Sequence, residues 1–287
     1  MSTVIDPREH DLGGGLVVRR VLPHMRARSV GPFVFFDHFG PIEVPAGGVT
    51  DVRPHPHIGL ATVTYLLRGA MLHRDSLGNV QTIVPGDVNW MTAGSGIVHS
   101  ERNPPDAKLR GQHLHGLQLW VALPRELEET MPAFVHWPAM QLPEWTTPDI
   151  TLRVIAGSAY GLNSPLQVAS PTLYLAVEMA AGAALQLPND YAQRAIYVVS
   201  GDVEIDGSRL GATRMAVLTT GVEALLRAIS PCVVMVLGGA PLDGPRFMWW
   251  NFVSSSRERI EQAKADWRSQ RMGQVPGETE FIPLPEH

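Results

Sequence analysis

The chain has 287 residues, of which 45% are hydrophobic and 18% are charged. This length exceeds that of a typical single domain, and the composition is that of a folded chain rather than a disordered one, so we expect two domains. The formal net charge of -5, without a dense run of Lys or Arg, argues against direct binding to nucleic acid or to an anionic membrane surface.

The N-terminal residues lack the charged and apolar regions of a signal peptide, and no apolar run approaches the ~18 residues that span a membrane. The single cysteine, Cys232, excludes an intramolecular disulfide framework and favours a reducing compartment. Its neighbours, SPCVVMVLGG, predict a buried strand in which the thiol is a small core side chain. We therefore predict a cytoplasmic protein that does not enter a membrane.

Residues 17–121 form a series of short apolar or alternating segments separated by Gly, Pro and Asn. Examples are VVRRVL, GLATVTYLL, VQTIVPG, DVNWMTAG and HGLQLWVAL. This pattern is typical of an all-β sandwich or barrel. We predict an N-terminal β-domain over residues 1–123.

Proline is frequent in the next segment, residues 124–170, with prolines at 124, 132, 138, 143, 148 and 165. Because proline lacks the amide donor of a strand ladder, this segment is predicted to be an interdomain linker. A second group of strand-like segments follows, so residues 171–287 are predicted to be a second β-domain. Three identities at a constant offset of 132 residues support a duplication: Pro56, Tyr65 and Gly69 match Pro188, Tyr197 and Gly201.

The C-terminal segment SSSRERIEQAKADWRSQRM predicts the one convincing helix of the chain. Ser255 and Glu258 have the spacing of a capping box at its start. Ile260, Ala263, Ala265 and Trp267 give it an imperfect apolar face that we expect to pack on a barrel.

Two pairs of side chains carry the strongest chemical signal. In RPHPHIG, His55 and His57 flank a proline, which favours extended backbone before it, and residues i and i+2 of an extended chain project to the same side. In GSGIVHSER, His99 and Glu101 repeat that spacing. If the two segments lie on neighbouring strands, the four side chains converge. The sequence therefore predicts one mononuclear metal site formed by His55, His57, His99 and Glu101.

The predicted donor set restricts the metal. Three imidazoles and one carboxylate suit a borderline divalent ion such as iron, manganese, nickel, copper, cobalt or zinc, and they lack the thiolates of a structural zinc site. Four protein ligands leave an octahedral ion with two open positions, where a substrate and dioxygen can bind. This favours catalysis over a purely structural role.

Other histidines leave alternatives open. His113 and His115 also have i, i+2 spacing and could form a second pair or line the pocket. His73 and His38 could support the ligands, line the pocket or serve only packing. No histidine occurs between His136 and His287. The positions matching the four ligands in the second domain hold Leu187, Asn189, Leu226 and Ala228, so we expect that domain to be metal-free.

Five segments extend this pattern: FDHFGP (36–41), HPH (55–57), TVTYLL (62–67), PGDVNWMTAGSGIVHSE (85–101) and HGLQLWV (115–121). Together they resemble the pirin family of the cupin superfamily. Many cupins place a metal-binding carboxylate three or four residues after HxH, where this chain has Ala61 or Thr62. Pirins instead use the later HxE, which is Glu101 here. The resemblance implies two cupin-type β-barrels, a bicupin, with a short C-terminal helix.

The resemblance also implies iron and two different functions. Some pirins degrade the flavonol quercetin with dioxygen, so one hypothesis is an Fe(II)-dependent quercetin 2,3-dioxygenase-like oxidoreductase acting on quercetin, a related flavonol or another enolisable aromatic. In it Glu101 is the general base on a substrate hydroxyl, and Asn103 hydrogen-bonds beside the ligands. Other pirins are associated with transcriptional regulators, so the alternative is an iron- and redox-sensing module that binds a protein partner without catalysis. A non-redox isomerase using manganese or zinc fits the ligands, but no motif supports it.

Overall fold

The computed structural model describes residues 2–12 and 16–286. The strands that begin before residue 100 are β1 (Thr3–Ile5), β2 (Arg8–Asp11), β3 (Val17–Leu22), β4 (Phe33–Val44), β5 (Val52–His57), β6 (Leu60–Arg68), β7 (Met71–Asp75), β8 (Val80–Ile83), β9 (Val88–Thr92) and β10 (Ile97–Arg102). Helix α1 (Pro105–Arg110) follows, then β11 (Gln112–Ala122), β12 (Ala133–Trp137), β13 (Glu144–Thr146), β14 (Ile150–Ala156), β15 (Ser158–Ala159) and β16 (Leu162–Asn163). The rest are β17 (Thr172–Met179), β18 (Ala184–Gln186), β19 (Gln193–Ser200), β20 (Asp202–Ile205), β21 (Ser208–Gly211), β22 (Met215–Val217), β23 (Leu225–Ala228), β24 (Cys232–Gly239), β25 (Phe247–Trp249), β26 (Phe252–Ser254) and α2 (Arg257–Arg268). The predicted all-β class is confirmed.

The chain divides into two compact units. The histidine unit comprises His10–Val18, His38–Ala139 and Asp243–His287, and the companion unit comprises Met1–Glu9, Arg19–Asp37 and Met140–Leu242. This division differs from the predicted domain boundaries at residues 123 and 170. Within the expected linker, β12 pairs with β9 of the histidine unit and β13 pairs with β14 of the companion unit. The prolines of this segment do not prevent pairing because they lie outside the strands, at their ends or in the turns between them.

Both units contain sheets with the same strand order. The seven-stranded sheets run β12-β9-β6-β11-β4-β3-β2 and β1-β22-β19-β24-β17-β14-β13, and the four-stranded sheets run β5-β10-β7-β8 and β18-β23-β20-β21. Tyr65 on β6 and Tyr197 on β19 occupy the same place in this order. Gly69 and Gly201 follow these strands with φ of +81° and +80°, and a Cβ at either would lie within 2.5 Å of a backbone oxygen. The repeat seen in the sequence is therefore a repeat of sheet topology.

The companion unit has a continuous apolar interior. Its buried residues come from both of its sheets, including Ile196 and Val198 of β19 and Leu226 of β23. Cys232 is part of this core, and burial raises the pKa of its thiol to about 11. The thiol is thus a core side chain, as the sequence predicts.

Helix α2 belongs to the histidine unit and not to the second predicted domain. Its N-cap is Ser256, whose hydroxyl accepts a hydrogen bond from the Arg259 amide, so the predicted capping box at Ser255 is wrong by one residue. Ile260, Ala263 and Trp267 are buried as expected. The short helix α1 was not predicted. Among the described residues, no helix is long and apolar enough to cross a membrane.

Candidate metal centre

Strands β5 and β10 bring the three predicted histidines together. The strands are antiparallel neighbours in which His99 lies opposite His55 and Ile97 lies opposite His57. Strand β5 tolerates its two prolines because it is at the edge of the four-stranded sheet, where a missing amide donor disrupts less of the ladder. One ring nitrogen of each histidine lies within 4.8 Å of those of the other two, and all three residues are buried.

The outer nitrogens of these rings are already engaged. Nδ1 of His55 bonds the carbonyl oxygen of Arg53 at 2.9 Å, and Nδ1 of His57 bonds the carbonyl oxygen of Asn251 at 3.1 Å. Carbonyl oxygens only accept, so both Nδ1 atoms carry the proton and both Nε2 atoms keep a lone pair. Nε2 of His99 is buried and has no hydrogen-bond partner. Such an orphaned buried acceptor is costly unless a ligand uses it.

Burial also keeps the three rings neutral. Desolvation, followed by the effect of the neighbouring histidines, holds the pKa of His57 and His99 well below the usual value. Burial lowers the pKa of His55 to about 4. Neutral imidazoles with converging lone pairs are the state that binds a metal. The cluster therefore fits a borderline divalent transition metal.

Glu101 lies on the same strand but outside the three-histidine group. The register between β10 and β5 shifts between His99 and Glu101, so that Glu101 lies opposite Val52 on β5 and opposite His73 on β7. Glu101 as a whole is partly exposed, but its carboxyl group is buried. In the absence of a cation, this burial raises the pKa of the Glu101 carboxyl group to about 7. The role of Glu101 as fourth ligand stays a prediction.

Aromatic side chains and a further histidine, His73, lie beside the cluster. Trp120 of β11 lies edge-on to His57, with ring centroids 5.3 Å apart. His73 of β7 lies beside His99 and stacks on Phe134 of β12 at 4.3 Å. Sequence reasoning left His73 undecided and missed Trp120 and Phe134 as neighbours of the site, because only strand pairing brings them there.

Three other residues do not join the cluster. His115 pairs with His38, with 2.6 Å between their Nε2 atoms, and His113 is exposed. The amide of Asn103 bonds Thr50, Gln112 and the carbonyl oxygen of Gly48. None of these partners is a predicted ligand, so the expectation that Asn103 hydrogen-bonds beside the ligands is wrong. Asn103 follows the end of β10 at Arg102, and its backbone amide donates to Asp51, which is also outside the cluster.

Comparison with known proteins identifies the family. Residues 15–121 match the Pirin family, and residues 174–273 match the Pirin C-terminal cupin domain. A pirin-like protein of Caulobacter vibrioides is 49% identical over 292 residues, which cover 100% of both chains. This chain belongs to the pirin family.

Two further relatives of this pirin carry a name that specifies a reaction. A Pseudomonas aeruginosa protein whose name proposes a quercetin 2,3-dioxygenase is 40% identical over 265 residues, covering 92% of this chain and 82% of that protein. The crystal structure of a quercetin 2,3-dioxygenase from Acinetobacter baumannii has a TM-score of 0.92 and 33% identity, covering 99% of this chain and 95% of that one. The pirin therefore has the predicted bicupin fold.

Proposed function

We propose that this pirin is an Fe(II)-dependent dioxygenase that acts on quercetin, a related flavonol or another enolisable aromatic. The observation that carries the proposal is the group of three buried, neutral imidazoles, one of which has an Nε2 atom without a partner. The names of the Pseudomonas and Acinetobacter relatives point to the same substrate class and to dioxygen as co-substrate. A small aromatic molecule and dioxygen are the partners that we propose, in a cytoplasmic setting.

The chain's own residues have distinct roles in this proposal. The Nε2 atoms of His55, His57 and His99 would hold the metal, with the Glu101 carboxylate as the fourth ligand. A divalent iron bound there supplies Lewis-acid and one-electron chemistry. A divalent cation beside Glu101 favours the ionised carboxylate, so an oxygen of this group can accept the proton of a substrate hydroxyl and return it later. The Trp120 ring gives the pocket an aromatic wall against which a planar substrate can pack.

Metal analysis tests the site. Protein purified without added metal is expected to contain about one transition-metal ion per chain, because the described residues form one three-histidine group. His55→Ala should remove most of it, because it deletes one of three imidazoles. The exposed His113→Ala serves as the matched control and should keep the wild-type content. If His55→Ala retained the full metal content, the site would be wrong.

Oxygen consumption tests the reaction. Protein loaded with Fe(II) under anaerobic conditions is mixed with quercetin and oxygen, and oxygen uptake is followed together with loss of the flavonol spectrum. We expect uptake in proportion to flavonol consumed, and about 100-fold slower uptake for Glu101→Gln if its carboxylate is the general base. Absence of turnover with every flavonol by fully loaded protein would overturn the enzyme proposal. Redox-dependent binding of a protein partner would then support the alternative of a regulatory module.

A further inference from the structure

A chain of three buried side chains leads from Asp75 to His99. Oδ2 of Asp75 lies 3.0 Å from Nε2 of His73, and Nδ1 of His73 lies 3.4 Å from Nδ1 of His99. The residues are 0%, 4% and 1% exposed in that order. Stacking on Phe134 fixes the plane of the His73 ring between the other two groups. The arrangement differs from those of His55 and His57, whose Nδ1 atoms bond carbonyl oxygens directly.

The turn after β7 holds Asp75 as an anion. Its Oδ1 accepts hydrogen bonds from the amides of Leu77 and Asn79 and from Nδ2 of Asn79. Although burial raises the pKa of this carboxyl group, the hydrogen bonds from His73 and Asn79 hold it below its usual value. An ionised carboxylate only accepts hydrogen bonds, so Nε2 of His73 must donate to it.

For an uncharged His73, proton positions along the three side chains follow from this donation. A neutral His73 with its proton on Nε2 has a lone pair on Nδ1 and accepts there. Nδ1 of His99 must then donate, which leaves the lone pair of His99 on Nε2. That atom is the buried nitrogen without a hydrogen-bond partner, next to His55 and His57.

We propose that Asp75 is a positioning residue that acts through His73 to set the tautomer of His99, so that Nε2 of His99 faces the metal as a lone pair. The proposal rests on the metal site proposed above. It assigns to the turn after β7 a function in metal affinity. Asp75 lies opposite His99 in the pairing of β7 with β10, but its carboxylate bonds the His73 ring and not a ring of the three-histidine group. Carboxylate–histidine contacts behind a metal ligand have this effect in other proteins, and their loss costs about 10- to 100-fold in metal affinity.

Asp75→Asn tests the direction of hydrogen bonding from His99 through His73 to Asp75. Two backbone amides of the turn donate to Oδ1, whereas Nδ2 of Asn79 is shared between Oδ1 at 3.1 Å and Oδ2 at 2.9 Å. The amide oxygen of the substituted side chain therefore takes the place of Oδ1, and its NH₂ group faces Nε2 of His73. His73 must then accept at Nε2 and carry its proton on Nδ1. His99 in turn must accept at Nδ1 and carry its proton on Nε2, where it blocks metal binding. We expect metal affinity, measured by chelator competition, to fall about 10- to 100-fold.

Asp87→Asn is the matched control. Asp87 is also buried, accepts hydrogen bonds from the backbone amides of Val84 and Ala139, and has an oxygen 3.6 Å from Nε2 of His136. It therefore resembles Asp75 in burial, in turn contacts and in its histidine neighbour, but neither it nor His136 belongs to the metal cluster. Metal affinity of Asp87→Asn should stay within about twofold of wild type. An equal loss in both variants would overturn the proposal in favour of general destabilisation.

Long-range ¹H–¹⁵N NMR of metal-free protein labelled at histidine gives a readout that needs neither metal nor turnover. We expect the proton of His99 on Nδ1 in the wild type and on Nε2 in Asp75→Asn. The hydrogen-bonded series Asp75–His73–His99 is called the relay below. A His99 proton on Nε2 in the wild type would overturn the relay even if the metal site were correct. Conversely, the expected tautomers together with metal retention in His55→Ala would uphold the relay and reject the proposed site.

His73→Phe is a second variant in case Asp75→Asn fails to fold. It preserves an aromatic ring against Phe134 but removes both ring nitrogens. The relay predicts a similar loss of metal affinity and a mixture of His99 tautomers. Wild-type affinity in folded His73→Phe would overturn the proposal.

Discussion

The three histidines of this site are buried in the neutral state that metal binding needs. His55, His57 and His99 are neutral because burial removes the water that would solvate an imidazolium. Glu101 has the opposite behaviour, since burial favours its protonated form and raises its pKa to about 7. The metal-free site is therefore an acid-sensitive part of the molecule.

The stability of metal-free protein should fall with acidification. An unfolded histidine binds a proton near pH 6.5, whereas folded His55 does so only near pH 4. Between these values the unfolded state binds more protons, so the free energy of unfolding decreases as the pH falls, by about 3 kcal/mol for His55 alone. Urea denaturation of chelator-treated protein from pH 7 to pH 4 measures this loss. Unchanged stability across the window would show that the histidines are not buried neutral.

Protonation of Glu101 should partly offset the fall in the free energy of unfolding on acidification. Its folded pKa of about 7 lies above the ordinary value of 4.5, so between these values the folded state binds more protons. Its contribution to stability is present at low pH and is lost as the pH rises towards 7. Glu101→Gln removes this contribution of Glu101. The free energy of unfolding should then fall more steeply on acidification than in the wild type. A shallower dependence in the same urea titration would contradict the assignment.

At the scale of elements, the C-terminal hairpin supports a ligand carried by another part of the chain. Strands β25 and β26 pair with Trp249 opposite Phe252, and the intervening Trp250 has a φ of +51°. The tight turn directs the carbonyl oxygen of Asn251 to Nδ1 of His57. The hairpin also contributes to packing, since Phe252 is in a buried cluster with Trp267.

Glu128 anchors this hairpin. It is 4% exposed, accepts hydrogen bonds from the Ser254 hydroxyl and from the amide and hydroxyl of Ser255, and lies 2.7 Å from Nε of the buried Arg246. Glu128→Gln leaves that arginine without its buried charge partner and should cost about 3–5 kcal/mol in stability. It should also weaken metal binding, because Asn251 loses its support.

Glu129→Gln is the matched control for Glu128→Gln. Its carboxylate is 55% exposed and pairs with Arg259, so its loss should cost less than about 1 kcal/mol and leave metal affinity unchanged. Chemical denaturation and chelator competition on both variants provide the comparison. Similar effects of the two substitutions would contradict the role of the hairpin.

At the scale of the whole molecule, one sheet topology serves two purposes. The histidine unit places imidazoles between its strands, whereas the companion unit fills the corresponding interior with aliphatic side chains. Leu226, which corresponds to His99 in the sequence repeat, is 0% exposed within that core. The companion unit thus has a packed apolar core where the other has a polar site.

Leu226→Ala should separate stability from metal binding. Removing a fully buried leucine is expected to cost about 2–5 kcal/mol because it loses buried surface and leaves a cavity. Metal content per folded chain should stay at the wild-type level, as the ligands belong to the histidine unit. Thermal unfolding combined with metal analysis checks both parts, and a loss of metal in folded Leu226→Ala would contradict independent roles of the units.

The sequence by itself determined the strands, the duplication and the three histidines of the cluster. These depend on local chemistry: alternation of apolar residues, turn residues between strands, and a His-Pro-His segment whose extended backbone projects both rings to one side. The prediction of a linker over residues 124–170 failed because proline content shows where strands end but not which sheet they join.

Only the tertiary structure decided which groups orient the ligands. His73 is 26 residues from His99, and Asn251 is 194 residues from His57. The same holds for helix α2, which belongs to the histidine unit although the sequence placed it in the second predicted domain, residues 171–287. Strand pairing and core packing bring these residues together, and no local pattern of residues encodes contacts between segments so far apart.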